Sequence, residues 1–212
     1  MVLVHEPQQS RSRNTQERLL SALVSLLEET SFEQITIREL ALRAEVSSGT
    51  IYRRFKDKNA LLPVLYQRLN DDLQAWGENC WTKFEPENTS VTERIRHLIE
   101  EHVRFYRQHL PVLRTLYLQM RVQGELGAED VDAQRRETYQ ALLAPVVTAL
   151  QAEGVEHPGT ARFKAFILIL VTSINEYLLF AHLKPVRTLS LQEDEFVEEL
   201  SGALALCLGA KR

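Results

Sequence analysis

The segment from Ile35 to Phe55 constrains this chain more than any other, because it marks its own helix ends. Thr36 followed three residues later by Glu39 is a capping box, and Ile35 before the cap with Leu40 at the fourth helical position makes a hydrophobic staple. Ile37, Leu40, Ala41 and Ala44 then repeat at the spacing of one helix face, for only about two turns. Glu45-Val46 breaks the pattern. Ser47 is a good N-cap, and Ser48–Phe55 makes a second short helix whose Ile51 and Phe55 share a face. The opposite face centres on Gly49 and Arg53, flanked by Thr50 and Tyr52.

The rest of the chain reads as longer helices. Only eight Gly and seven Pro stand among 212 residues, too few turn-makers for a β-rich or disordered chain, and the expected fold class is all-α. Residues 1–13 are polar, with Arg11 and Arg13, and read as a flexible basic arm. From Thr15, Leu20, Leu23, Val24 and Leu27 form one apolar stripe that Thr30-Ser31 ends. A long helix is expected over about 59–84, bent near Pro63, and five more over about 92–109, 111–121, 129–153, 159–183 and 191–208, the third of these kinked at Pro145. The expected organisation is an arm (1–13), a small head (14–58) and a helical body (59–212).

Charge divides along the same line. The whole chain carries −4, yet residues 11–58 hold nine Lys and Arg against seven Asp and Glu. A mildly basic head on an acidic body argues against a uniformly basic nucleic-acid binder and for a local one. Cys80 and Cys207 are scattered thiols suited to a reducing cytosol. Met1–Val4 is too short for the apolar core of a signal peptide. The most apolar run, Ala165–Val171, meets Asn175 and Glu176 when extended, so it reads as a buried helix rather than a membrane span. A cytoplasmic protein is expected.

Two short helices joined by a tight turn after a longer helix are the layout of a helix-turn-helix. Gly49 lets backbone and DNA groove approach closely; Ser48, Tyr52 and Arg53 can reach base edges. Thr50, Arg54, Lys58 and the helix start at Thr36 can hold phosphates, Arg38 points to the same side, and the arm can add minor-groove contacts.

This stretch resembles the TetR family of bacterial transcriptional repressors through Phe32, Thr36, Ile37, Leu40, Ala41, Ala44, Val46-Ser47, Gly49-Thr50-Ile51-Tyr52, Phe55, Lys58 and Leu61-Leu62, over about residues 14–65. The resemblance implies Ser48, Gly49, Tyr52 and Arg53 near bases, Thr36, Thr50, Tyr52, Arg54 and Lys58 at phosphates, and Arg38 at a base in some members. Glu45 departs from the usual turn glycine, at a cost of ~1 kcal/mol if the position needs positive φ, and its carboxylate could repel phosphate. Arg54 stands where many members carry an aromatic residue.

The later helices resemble the family's effector-binding and dimerisation domain. The resemblance implies a two-fold bundle of the last two helices, with Phe163, Ile167, Leu170, Ile174, Leu178, Phe196, Leu200 and Leu204 at the seam. It also implies a cavity among helices that carry Trp76, Cys80, Trp81, Phe105, Tyr106, Tyr117, Met120, Tyr139, Phe166 and Tyr177. His102, Arg121, Asn175 and Glu176 are its candidate polar groups. The effector expected there is small and mainly hydrophobic or aromatic.

His97 and His102 straddle Glu100-Glu101, but histidines five apart point about 140° from each other, which does not suit a zinc site. No phosphate loop, nucleophile elbow or Cys-x-x-Cys appears, so neither an enzyme nor a metal or other cofactor is expected. The expected function is a homodimeric, ligand-responsive repressor on a palindromic double-stranded DNA operator; the resemblance implies that it works as a spacing switch, in which effector shifts the 59–84 helix and moves two reading heads out of register. The alternatives are an effector-independent regulator or activator, an enzyme on the same helical body, and a protein-interaction module.

Overall fold

The computed structural model describes residues 8–82, 84, 89–124, 129–154, 159–181 and 191–210. Every regular element among them is helical: α1 (Gln8–Glu29), α2 (Ile37–Arg43), α3 (Ser48–Tyr52), a 3-10 turn (Asn59–Leu61), α4 (Leu62–Asn79), α5 (Val91–Gln108), α6 (Leu110–Gln123), α7 (Glu129–Ala152), α8 (Gly159–Ile174), a π turn (Asn175–Leu179) and α9 (Glu193–Leu208). Two compact units result, Met1–Leu69 with Pro111–Ala128, and Asn70–Leu110 with Glu129–Arg212. The expected cut at residue 58 is not where the chain divides: the start of α4 and nearly all of α6 group with the head. Gln8–Arg13, expected in a flexible arm, open α1; residues 1–7 of that arm lie outside the described residues.

The head is a small core closed by α1, α2 and α3 over Leu19, Leu20, Leu23, Phe32, Leu40, Ile51 and Phe55, all buried. Both halves of the capping box are present at α2: Thr36 Oγ1 accepts from Glu39 N at 3.2 Å and Thr36 N donates to Glu39 Oε2 at 2.8 Å. Ile35 and Leu40, the staple pair, are both buried. Helix α2 stops through a Schellman pattern, in which Val46 N donates to Ala41 O at 2.9 Å and Glu45 N to Leu42 O at 3.1 Å. Ser47 Oγ caps α3 by accepting from Thr50 N at 3.1 Å. Helix α3 ends at Tyr52, earlier than its spacing predicts, and Phe55 reaches the core from the turn beyond, its N–H donating to Ile51 O at 2.9 Å. Pro63, expected to bend a helix begun near Asn59, stands instead in the first turn of α4, where no N–H is required.

One cation ties the head together. Lys58 Nζ donates to Phe32 O at 2.6 Å, Ile35 O at 2.9 Å and Glu33 O at 3.0 Å, and lies 4.7 Å from the centre of the Phe32 ring. An ammonium has three hydrogens, and all three are spent on the α1–α2 loop. Gln119 of α6 reaches that loop too, donating to Glu33 Oε1 at 2.5 Å.

In the second unit, α5 is the central helix, packed by α7, α8, the π turn and α9. Its inward stripe runs Val91, Ile95, Leu98, Ile99, His102, Val103 and Tyr106. Ser90 and Glu93 form a capping box at its start, and Arg96 and Arg107 pair with Glu198 and Glu193 of α9. Pro145 lies inside α7, which is helical on both sides of it. Where α4 meets α7, a Cβ placed on Gly77 would stand 2.9 Å from Thr138 Cγ2, so these helices touch only because residue 77 has no side chain.

Two expected outcomes follow from these contacts. Gly77→Ala destabilises by about 1–3 kcal/mol through overpacking, against the gain of up to ~1 kcal/mol that alanine brings to an open helix site, and Thr138→Ser recovers much of the loss. Urea unfolding of the single and double variants measures the coupling. Lys58→Met, which keeps the stem and leaves three carbonyls without their donor, lowers stability by about 2–3 kcal/mol. An unchanged melting curve with weakened DNA binding would return Lys58 to a phosphate role.

Candidate nucleic-acid interface

The outward face of α2 and α3 separates side chains that the fold uses from those it leaves unspent. Arg38 and Arg54 are exposed and hold no ion pair among the described residues, and Tyr52 is 59% exposed. Arg53 is exposed and has one long contact, Nη2 to Thr50 Oγ1 at 3.5 Å. Ser48 is half-buried at the start of α3. Gly49 is exposed, and a Cβ there would meet only Ser47 Oγ at 3.8 Å. Nothing inside the chain requires glycine at 49, although glycine weakens a helix. Arg38, Gly49, Tyr52, Arg53 and Arg54 are thus all open to solvent on or beside α2 and α3.

Other candidates are occupied. The Thr36 hydroxyl donates to Glu39 Oε2 at 2.7 Å while accepting from Glu39 N, and the Thr36 amide and hydroxyl together hold the Glu39 carboxyl below its usual range. The Thr50 hydroxyl lies 2.9 Å from Ser47 Oγ. Lys58 is corrected outright: its ammonium belongs to the head's own carbonyls, where burial depresses its pKa, and no N–H remains for phosphate. Glu45 does take positive φ, +52°, and its carboxylate is not loose, because Arg18 Nη2 donates to Glu45 O at 3.0 Å and to Glu45 Oε2 at 3.1 Å. Arg43 grips Ser25 Oγ at 2.6 Å and Glu29 at 2.9 and 3.0 Å, fastening α2 to α1 and lowering the Glu29 pKa. Sequence reasoning did not find the Arg18 and Arg43 clamps, which join residues 27 and 14 positions apart. It also missed Leu42, an exposed leucine one turn beyond Arg38.

The candidate effector residues fall into several groups. Trp76, His102, Phe105 and Tyr139 gather in the second unit, with ring centres 4.5 Å apart for Trp76–His102, 5.3 Å for Trp76–Phe105 and 6.1 Å for His102–Tyr139, and Tyr106 adjoins Phe105 at 6.4 Å. Trp81 belongs elsewhere: its N–H donates to Leu142 O at 2.9 Å and its ring meets Phe84 and His97. Cys80 is buried, its thiol pushed up to about 12 by burial, and its carbonyl lies 2.8 Å from His97 Nε2. Tyr177 stacks on Phe196 at 4.0 Å and its hydroxyl donates to Leu191 O at 3.3 Å, so it joins α9. Phe166 is buried core, and Asn175 is buried at the start of the π turn. Tyr117, Met120 and Arg121 lie on α6 in the head's unit, Arg121 exposed. Among the described residues no group of three or more His, Cys, Asp and Glu could hold a metal ion, and no helix is long and apolar enough to cross a membrane.

The expected dimer seam needs correction. Leu170, Ile174, Leu178, Phe196, Leu200 and Leu204 are buried within the single chain, while Phe163 and Ile167 are half-buried. The apolar side chains left outward on these helices are Leu168, 68% exposed, Ile169, and Leu206, 49% exposed.

His102 is 1% exposed and burial holds its imidazole down to about 4, so the folded protein keeps it neutral. The unfolded chain takes up that proton near pH 6.5. The resulting stability is therefore whole above about 6.5 and falls as pH drops towards 4, by up to roughly 3 kcal/mol. Glu29, Glu39 and Glu93, whose pKa values are lowered from 4.5, lose their contributions at lower pH. Urea unfolding at pH 7 and pH 5 is expected to show the loss in the wild type and a flatter slope in His102→Asn; equal slopes would contradict the buried neutral state.

Residues 19–65 match the model of bacterial regulatory proteins of the tetR family. The uncharacterized HTH-type transcriptional regulator YvkB of Bacillus subtilis is 40% identical over 53 residues, a match spanning 25% of this chain and only 28% of that relative. A TetR family transcription regulator from Marinobacter aquaeolei superposes over 94% of this chain and 98% of its own with a TM-score of 0.62 at 16% identity. The regulator FadR of Bacillus subtilis, solved in complex with stearoyl-CoA, superposes over 92% and 99% with a TM-score of 0.54, also at 16% identity. The head, residues 19–65, is thus similar to the tetR family of bacterial regulatory proteins, and along nearly its whole length the chain has the fold of solved structures of that family.

Proposed function

We propose that the protein is a cytoplasmic, homodimeric transcriptional repressor that binds a palindromic DNA operator and is released by a small, mainly hydrophobic effector. The observation that carries the DNA-binding reading is Gly49: a helical glycine with open space around it, set among Arg38, Tyr52, Arg53 and Arg54, none of which the head needs for its own packing. A residue without a side chain at that position favours close approach of a partner rather than internal fit. The exposed arginines suit guanine edges and phosphates. Thr36 and Thr50 contribute only through the shape of the helix starts, since their hydroxyls and their backbone N–H groups both serve the caps.

Leu168, Ile169 and Leu206 support the dimer, because an apolar face on the last two helices beyond their own core favours a second copy. The effector reading is supported by the aromatic group around Trp76 and His102, and by a likeness in fold to a regulator solved with stearoyl-CoA. Helix α4 carries residues of both compact units, so displacement of its second half by a ligand would move the head. The reading is of a regulator and not an enzyme.

The test starts with duplex selected from a random pool. Gly49→Ala is expected to raise stability by about 0.5–1 kcal/mol and yet weaken binding, a split that a purely structural glycine would not give. Arg53→Ala is expected to relax selection at particular bases by ~1–3 kcal/mol. Unchanged selection by both variants would remove the proposed reading face. Leu168→Glu with Leu206→Glu is expected to sediment as a folded monomer, whereas Leu170→Glu unfolds the second unit; a wild-type dimer from the double variant would move the interface elsewhere.

A further inference from the structure

We infer that the Trp76–His102 pair is the polar anchor of the effector site, arranged to hold one uncharged hydroxyl group on an otherwise apolar molecule. This deepens the effector reading above and rests on it. The argument begins with the tautomer. His102 Nδ1 lies 3.0 Å from Leu98 O, and a carbonyl only accepts, so Nδ1 carries the hydrogen and Nε2 presents a lone pair. That Nε2 is shut away from solvent with no hydrogen-bond partner among the described residues, and so is the indole N–H of Trp76. The two rings stand 4.5 Å apart, centre to centre, and nearly perpendicular. One orphaned acceptor and one orphaned donor therefore share a single aromatic setting, walled by Phe105 and Tyr139.

Native interiors seldom leave such atoms unpaired, and a pair of opposite sense is satisfied by one group that both accepts and donates. A hydroxyl accepts from Trp76 N–H and donates to His102 Nε2. An ether or ketone accepts from Trp76 and leaves Nε2 bare. A carboxylate sets negative oxygen against the Nε2 lone pair, and burial, which holds His102 neutral down to about pH 4, opposes the protonation that would relieve it. A crevice of about 200 Å³ between α4 and α7, lined by Gln74, Gly77, Glu78, Gln134, Glu137, Thr138 and Ala141, lies along the same two helices that carry Trp76 and Tyr139.

The probes are para-alkylphenols from methyl to octyl, each with its methyl ether and its parent alkylbenzene, titrated calorimetrically into the full-length protein. At least one phenol is expected to bind at least about tenfold more tightly than its ether and hydrocarbon. Trp76→Phe removes the donor; His102→Asn keeps a donor towards Leu98 O and removes the acceptor at the Nε2 position, which the shorter amide does not reach. Each is expected to shrink the phenol preference to about twofold while leaving alkylbenzene binding in place. In the wild type, the ¹⁵N resonance of His102 Nε2 shifts with phenol and not with alkylbenzene, a readout that needs no variant. No phenol binding, equal affinities within every triad, or an unmoved Nε2 resonance overturns the assignment. Operator release is scored separately. A phenol that binds through the pair without releasing DNA supports the anchor and defeats the switch, whereas a hydrocarbon that binds wild type as tightly as its phenol and releases DNA overturns the anchor and keeps the switch.

Discussion

The head depends on the ammonium of Lys58. Helices of seven and five residues cannot hold their own geometry, and the loop before α2 turns three carbonyls, those of Phe32, Glu33 and Ile35, towards one point. A cation with three hydrogens satisfies all of them, and the Phe32 ring adds an electron-rich face beneath it. Because Lys58 stands six residues past the end of α3 and the loop precedes α2, this one contact ties the entry to the first short helix to the segment that leaves the second. Burial depresses the ammonium pKa and the nearby Glu33 opposes that shift. Gln119 holds the same Glu33, so α6 bears on the loop that leads into α2.

A division of labour among cations follows. Arg18, Arg43 and Lys58 hold the head together, and each is matched to acceptors the chain itself supplies. Arg38, Arg53 and Arg54 are exposed and make no ion pair among the described residues. A mildly basic head therefore presents more usable charge on one face than its net charge suggests, because the acidic residues Glu29, Glu39 and Glu45 are consumed by internal bonds. Field at a surface depends on which charges are left unpaired there.

The elements were legible wherever ends are marked by local chemistry. The boxes at Thr36 and Ser90 and the Ser47 cap involve residues three apart, and spacing alone reveals them. Lys58 was not legible, because phosphate and a cluster of carbonyls select the same side chain, and only the folded loop shows that the carbonyls are there. The seam on α8 failed for a different reason. Phe166, Leu170 and Ile174 make one apolar stripe and Leu168 and Ile169 make another, and periodicity cannot say which stripe a chain keeps for its own core. The bulkier, more regular stripe packs against α5 and α9, so the shorter, interrupted one is left outside. Tyr177 and Phe196 were assigned to different sites, yet stack on each other, because the π turn at Asn175–Leu179 shifts the facing of every residue after it.

The turn at Glu45 shows how the head reconciles strain with function. Helices α2 and α9 both end in the Schellman pattern; at α9 the left-handed position is Gly209, φ 90°, where glycine adopts it without penalty. At α2 it is Glu45, φ 52°, and a side chain there costs about 1 kcal/mol or more. The sharp stop is still required, since Ser47 must cap α3 only two residues later. Arg18 offsets the cost by binding the strained residue twice, at its carbonyl and its carboxylate. A glycine could receive only the first of these bonds. Glutamate thus exchanges conformational ease for a clamp between α1 and the turn, and the same clamp pairs a carboxylate that would otherwise stand alone in the turn. The departure from glycine and the arginine 27 residues earlier are one device, and neither has a physical account without the other.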